Sequence, residues 1–172
     1  KNMLSQKIEK TLNNQIRVEA ESSQLYLSMA CWAEANGFEG VAEFMYAQSE
    51  EEREHMLKLI GYLNVRGGKT VISDLKQPMQ EFGSIKKLFE ALLAHEIYVS
   101  EKINEMVHTT FEEKDFATHN FLQWYVAEQI EEEATARGIL DKMNLIGNNE
   151  SSLYLFDNEI RSIREKAINK EI

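Results

Sequence analysis

Along most of the chain, apolar residues recur at alternating steps of three and four, the spacing that keeps side chains on one face of an α-helix. Four long stripes follow this rule. The first reads Leu12, Ile16, Glu19, Ser23, Tyr26, Ala30, Ala33, and the second Phe44, Gln48, Glu52, His55, Leu59, Tyr62. The third reads Phe89, Leu92, Glu96, Val99, Ile103, Met106, and the fourth Leu122, Tyr125, Gln129, Glu132, Ala136, Ile139, Met143. Breaks fall at Asn36-Gly37, Gly67-Gly68, Gly83 and Gly147; the break at Glu112-Glu113-Lys114-Asp115 has no glycine, and Asp115 reads there as an N-cap. The pattern predicts helices over about 4–36, 39–66, 84–111 and 115–146, with a shorter fifth over about 152–168. Residues of about 67–83 form a crossover loop, and no repeat or linker divides residues 1–172.

The connections fix the topology. Short ones make antiparallel hairpins of the first helix with the second and of the third with the fourth. The segment between Gly67 and Gly83 is too long for an idle loop in a packed bundle. A helix of about 28 residues is about 42 Å long, and about 15 extended residues reach about 50 Å. The loop can therefore run the length of the bundle and set the second and third helices parallel: an all-α, up-down-down-up bundle with one crossover.

Each stripe is interrupted near its middle by a carboxylate. Counted from Gly37, Glu19 lies 18 residues before the turn, Glu52 15 after and His55 18 after. Counted from Glu113, Glu96 lies 17 before, Gln129 16 after and Glu132 19 after. Equal distance from the turn of a hairpin means equal height, so six ligand-type side chains meet at mid-bundle. Four carboxylates in a dry core are costly as anions, and two divalent cations would cancel their charge. Oxygen-rich ligands with one imidazole suit iron, manganese or zinc. Glu52 and His55, at i and i+3, reach one site, and Glu52 is placed to bridge two metals. A single interruption means little; four at matched heights carry the inference.

Composition narrows the alternatives. With 29 Asp and Glu against 19 Lys and Arg, the formal net charge of −10 argues against nucleic acid as main partner and favours cations. The single Cys31, expected buried, excludes an internal disulfide framework and fits the cytoplasm. No apolar run nears the roughly 18 residues of a membrane span, so no membrane partner is expected. The N-terminal residues lack a signal-peptide stretch, and Met3 reads as the native start.

Several stretches resemble the non-haem bacterial ferritins of the ferritin-like di-iron family. They are Asn14-Gln15-Ile16-Arg17-Val18-Glu19, Ser22-Ser23-Gln24-Leu25-Tyr26, Phe38-Glu39-Gly40, Glu51-Glu52-Arg53-Glu54-His55-Met56, Lys102-Ile103-Asn104-Glu105 and, most specific, the run from Asn120 to Glu133, NFLQWYVAEQIEEE. The resemblance implies a ferritin-like bundle with a ferroxidase centre. Glu19, Glu52 and His55 would hold a first iron, and Glu52, Glu96 and Glu132, with Gln129 beside them, a second. Glu51, Glu128 and Glu131, with Glu132, match a third iron site; without the resemblance they read as a solvated acidic face. Tyr26 matches a tyrosine beside the centre with a redox role, and Trp124 a nearby aromatic that passes electrons. The family also implies Fe²⁺ oxidation by O₂ or H₂O₂ and a hollow homo-oligomer of twenty-four subunits storing ferric oxyhydroxide, its fifth helices at the fourfold axes.

The haem-binding relatives carry a second Glu-x-x-His on the fourth helix and a methionine after the bridging glutamate. Here Glu132 is followed by Glu133-Ala134-Thr135, and Arg53 follows Glu52, so no haem is expected. A second site with Gln129 and no histidine would pass iron on rather than keep it. Two other readings compete: a metal-retaining di-iron enzyme such as a rubrerythrin-like peroxide reductase, and a helical scaffold. The first lacks a Cys-x-x-Cys module, and the second leaves the core carboxylates uncompensated. His95, His108 and His119 read as surface or packing histidines. Glu112, Glu113 and Asp115 read as capping residues or as the lining of an iron pore.

Overall fold

The computed structural model describes residues 4–168, and side chains over residues 4–163; Met3 lies outside the described residues. Five α-helices follow one another: α1 Gln6–Ala35, α2 Glu39–Val65, α3 Ile85–Glu112, α4 Phe116–Ile146 and α5 Glu150–Ile168. The N-termini of α1, α3 and α4 are set by short polar side chains. Ser5 accepts from the Ile8 N–H, Ser84 from that of Lys87, and Asp115 from that of Thr118, each satisfying a donor the helix leaves open.

Three of the helix ends close in one way. After α1, the Gly37 N–H donates to Glu34 O and the Phe38 N–H to Ala33 O. After α2, Gly67 donates to Asn64 O and Gly68 to Leu63 O. After α3, Lys114 donates to Phe111 O and Asp115 to Thr110 O. All three are Schellman closures, which put one residue in the left-handed region. Gly37 and Gly67 take it without cost, but at the third turn the residue is Lys114, with φ 55°.

The long helices make an up-down-down-up bundle. One apolar cluster joins the C-terminal end of α1 (Tyr26, Met29, Ala33) to the N-terminal ends of α2 (Val41, Phe44) and α3 (Leu88, Phe89) and the C-terminal end of α4 (Ile139, Met143). A second joins the opposite ends through Ile8, Leu12, Leu59, Leu63, Ile103, Met106 and Leu122. The crossover runs along α1. Asn13 holds its start, donating to Lys69 O at 2.9 Å and accepting from the Val71 N–H at 2.7 Å. Ser28 donates to Met79 O, and Trp32 Nε1 to Glu81 near its end.

The fifth helix packs on α2 and α4 and buries Phe156 and Ile160 in the first cluster. Its Asp157 carboxylate accepts from the Gly40 and Val41 N–H groups at 3.1 and 2.9 Å. Phe38, at the N-cap of α2, has no side-chain bond to give, so α5 supplies the cap instead. Gly40 permits this approach, since a Cβ there would lie 1.8 Å from Asp157 O.

Candidate metal centre

Between the two apolar clusters the interrupted stripes converge in a polar layer. α1 contributes Glu19, α2 Glu52 and His55, α3 Glu96, and α4 Gln129 and Glu132; all six are buried. One turn apart on α2, Glu52 and His55 leave the same face. His55 Nδ1 lies 3.6 Å from Glu52 Oε1 and 3.9 Å from Glu19 Oε2. One ligand atom from each of Glu19, Glu52 and His55 lies within 4.8 Å of the other two, a spacing that a single cation can span.

The facing hairpin completes the layer. Gln129 Nε2 donates to Glu96 Oε2 at 3.1 Å and to the Glu96 carbonyl at 3.2 Å. Tyr26 crosses from α1 to donate its hydroxyl to Glu96 Oε1. Glu132 Oε2 accepts from Gln48 Nε2 at 2.9 Å, and Glu19 Oε1 from Gln15 Nε2 at 2.8 Å. Tyr125 donates to the His55 carbonyl at 2.7 Å, fixing α2 against α4 beside the layer. Among the described residues, one buried side-chain oxygen, Glu52 Oε1, has no hydrogen-bond partner.

Burial dominates the electrostatics. It pushes the Glu19 carboxyl up to about 7, against hydrogen bonds that favour the anion. Glu52 stands well above the usual carboxylate range, first through burial and then through the charges of Glu19 and Glu96. Glu132 is raised by burial and then by Glu96 and Glu51, and Glu96 by burial, opposed by the bonds from Tyr26 and Gln129. Burial, assisted by the Lys58 charge, holds His55 down to about 4, so its imidazole is neutral near pH 7 and free to ligate. Without a cation the layer therefore favours protonated carboxyls, and a cation would take the protons' place.

A second group flanks the first. Ligand atoms of Glu51, His55 and Glu128 lie within 4.8 Å of one another, so His55 belongs to both groups. Glu131 is exposed and is not part of that group. Trp124 packs edge-on against His55, with ring centroids 5.2 Å apart.

Other expectations resolve individually. His108 is exposed beside Glu112, and His119 meets Thr110 Oγ1 at 3.3 Å. His95 lies between α1 and α3, 2.8 Å from Ser22 Oγ and edge-on to Tyr26. Cys31 is exposed rather than buried: it lies one residue past the stripe position Ala30, turned toward the Tyr46 hydroxyl. Asp115 is engaged by Arg66 and Thr118, and Glu112 by Lys7, which gives both structural work at the α3–α4 junction. Sequence reasoning missed the glutamine donors. Gln15 sits four residues before Glu19 and Gln48 interrupts the second stripe one turn before Glu52, so both left a usable signal; that Gln48 would meet Glu132, on the facing hairpin, was not legible.

A four-helix bundle with a buried carboxylate–histidine layer defines a protein of the carboxylate metal-bundle class. The model of the ferritin-like domain matches residues 9–146, and the chain belongs to that family. It is 46% identical over 165 residues to a probable bacterial non-heme ferritin-like protein of Haemophilus influenzae, covering 96% of this chain and all of the relative. It is 44% identical to a bacterial non-heme ferritin of Campylobacter jejuni, covering 94% and 96%. Among solved structures, an open pore ferritin of Archaeoglobus fulgidus superposes with a TM-score of 0.91 at 40% identity, covering 94% of this chain and 98% of the other.

Proposed function

We propose that this protein takes up Fe²⁺, oxidises it and stores the Fe³⁺ as a ferric oxyhydroxide mineral inside a cytoplasmic homo-oligomeric shell of twenty-four subunits. The observation that carries the chemistry is the unpartnered Glu52 Oε1 in a layer of four buried carboxylates. A buried acceptor without a donor costs about 1–3 kcal/mol, and a cation between Glu52 and its neighbours removes that cost. The relatives named as non-heme ferritins support iron as that cation.

In this reading Glu19, Glu52 and His55 receive one Fe²⁺, and Glu52, Glu96 and Glu132 a second, with Gln129 and Tyr26 holding Glu96 in place. Glu51 and Glu128, which share the flanking group with His55, take a third iron, joined by Glu132 and the exposed Glu131. Each of the paired Fe²⁺ substrates gives up one electron, and one O₂ or H₂O₂ accepts both. The carboxyl protons displaced on binding leave toward solvent or the reduced oxygen. Product Fe³⁺ has a weak hold where Gln129 replaces a stronger ligand, so it hydrolyses and moves on to the mineral. With Arg53 after Glu52 and Thr135 after Ala134, the chain lacks the residues a haem-binding relative would use.

The test is stopped-flow oxidation of Fe²⁺ by wild type and Glu52→Ala, followed by size exclusion after aerobic loading. Rapid oxidation lost in the variant, and a large particle carrying hundreds of irons or more in wild type, support the reading. Rapid oxidation retained by Glu52→Ala would place the centre elsewhere. A lasting two-iron occupancy unaffected by further Fe²⁺ would mean a metal-retaining enzyme.

A further inference from the structure

Beside the Glu51–His55–Glu128 group stands a cation that the ligand sets above leave out. Lys58 follows His55 by one turn of α2 and Glu51 by two, so all three side chains leave the same side of the helix. Its Nζ lies 3.2 Å from the ring centroid of Trp124, and that indole in turn packs edge-on against His55 at 5.2 Å. The ammonium is thus seated on an aromatic face next to one member of the group, on α2, and on the helix that carries another, Glu128.

We propose that Lys58 sets how tightly the flanking group holds its cation: a tethered positive charge beside Glu51, His55 and Glu128 that weakens binding there. The proposal rests on reading that group as an iron site, as above. Unfilled, the group gains from the ammonium, which offsets part of its negative charge. Filled, the same ammonium repels the incoming ion, and a like charge roughly 8–10 Å from a divalent ion in a partly solvated setting weakens binding several-fold. Lys58 is exposed, so its stem can swing the charge outward and occupancy is weakened rather than forbidden. A site of this kind suits iron in passage, because an ion held against a neighbouring positive charge leaves readily.

The test uses Zn²⁺, which carries no redox chemistry, titrated calorimetrically into the metal-free assembled protein. Four proteins are compared: wild type, Lys58→Met, Lys58→Arg and Glu128→Gln. Loss of one binding equivalent in Glu128→Gln identifies the flanking site. The expected result is that this equivalent tightens about 3- to 10-fold in Lys58→Met and keeps wild-type affinity in Lys58→Arg, since the charge and not the packing is responsible. An unchanged affinity in Lys58→Met, or equal tightening in both Lys58 variants, overturns the proposal. If Glu128→Gln loses no equivalent, the group is not a cation site, and the reading on which the proposal stands fails first.

Discussion

Tyr26 shows how a single side chain is committed at the centre. Its ring is fully buried, its hydroxyl bonds Glu96, and burial with the neighbouring carboxylates pushes the phenol above its ordinary value, so it stays a donor at every physiological pH. In Tyr26→Phe the Glu96 oxygen keeps its burial and loses its donor. The metal-free protein should lose about 1–3 kcal/mol of stability in urea, and less when Zn²⁺ is present to take the donor's place. Equal losses with and without Zn²⁺ would mean that Glu96 does not face the cation. At this scale the sequence was legible where a polar residue broke a stripe. Glu19, Glu52, His55, Glu96, Gln129 and Glu132 each interrupt an apolar period, and counting from the two turns puts them at one height. Ser22 and His95 were not legible, because their bond spans two helices and neither residue departs from what a packing position allows.

Among the elements, α5 depends on one carboxylate and one glycine. Asp157 supplies the N-terminal cap of α2, and Gly40 leaves room for the backbone that carries it. Gly40→Ala should push α5 off the bundle and cost more than about 2 kcal/mol, seen as a lower melting temperature and faster proteolysis within α5. Asp157→Ala removes only the cap and should cost about 1 kcal/mol. The turn after α3 runs the other way. Lys114 holds a left-handed conformation that glycine takes freely, so Lys114→Gly should stabilise by about 0.5–1 kcal/mol in thermal unfolding, and a loss of stability would mean that its side chain makes a contact worth more than the strain. The bundle and its crossover follow from helix period and loop length, both local properties of the sequence. The route of the loop along α1 does not, because it is set by Asn13, Ser28 and Trp32, residues whose bonds to the loop are tertiary.

For the whole molecule, the buried layer ties stability to pH and to metal. A carboxyl raised on folding binds its proton more tightly in the native state, so its contribution is full below the unfolded value and is lost as pH rises through the folded one. For Glu19 that window runs from 4.5 to about 7, and Glu52, Glu96 and Glu132 shift in the same direction. His55 and His95, both held down to about 4 chiefly by burial, act oppositely, gaining stability as pH rises from about 4 to 6.5. Above that range both imidazoles are neutral in either state, and only the carboxyls still change. Metal-free protein should therefore lose about 1 kcal/mol between pH 6.5 and 8.5 through Glu19, and more where the other raised carboxyls titrate in the same window, read from urea unfolding in the presence of a chelator. Zn²⁺ should restore the loss, because it replaces the protons with a charge that does not titrate away. Calorimetry in buffers of different ionisation enthalpy should then register protons released on metal binding at pH 6.5 and fewer at pH 8.5. Glu52→Gln, which keeps the shape of the side chain and removes one titrating group, should flatten both responses. A stability that is level or rising across this window, with no proton release, would mean that the four carboxylates are already compensated without a cation, and the storage reading would lose its physical basis.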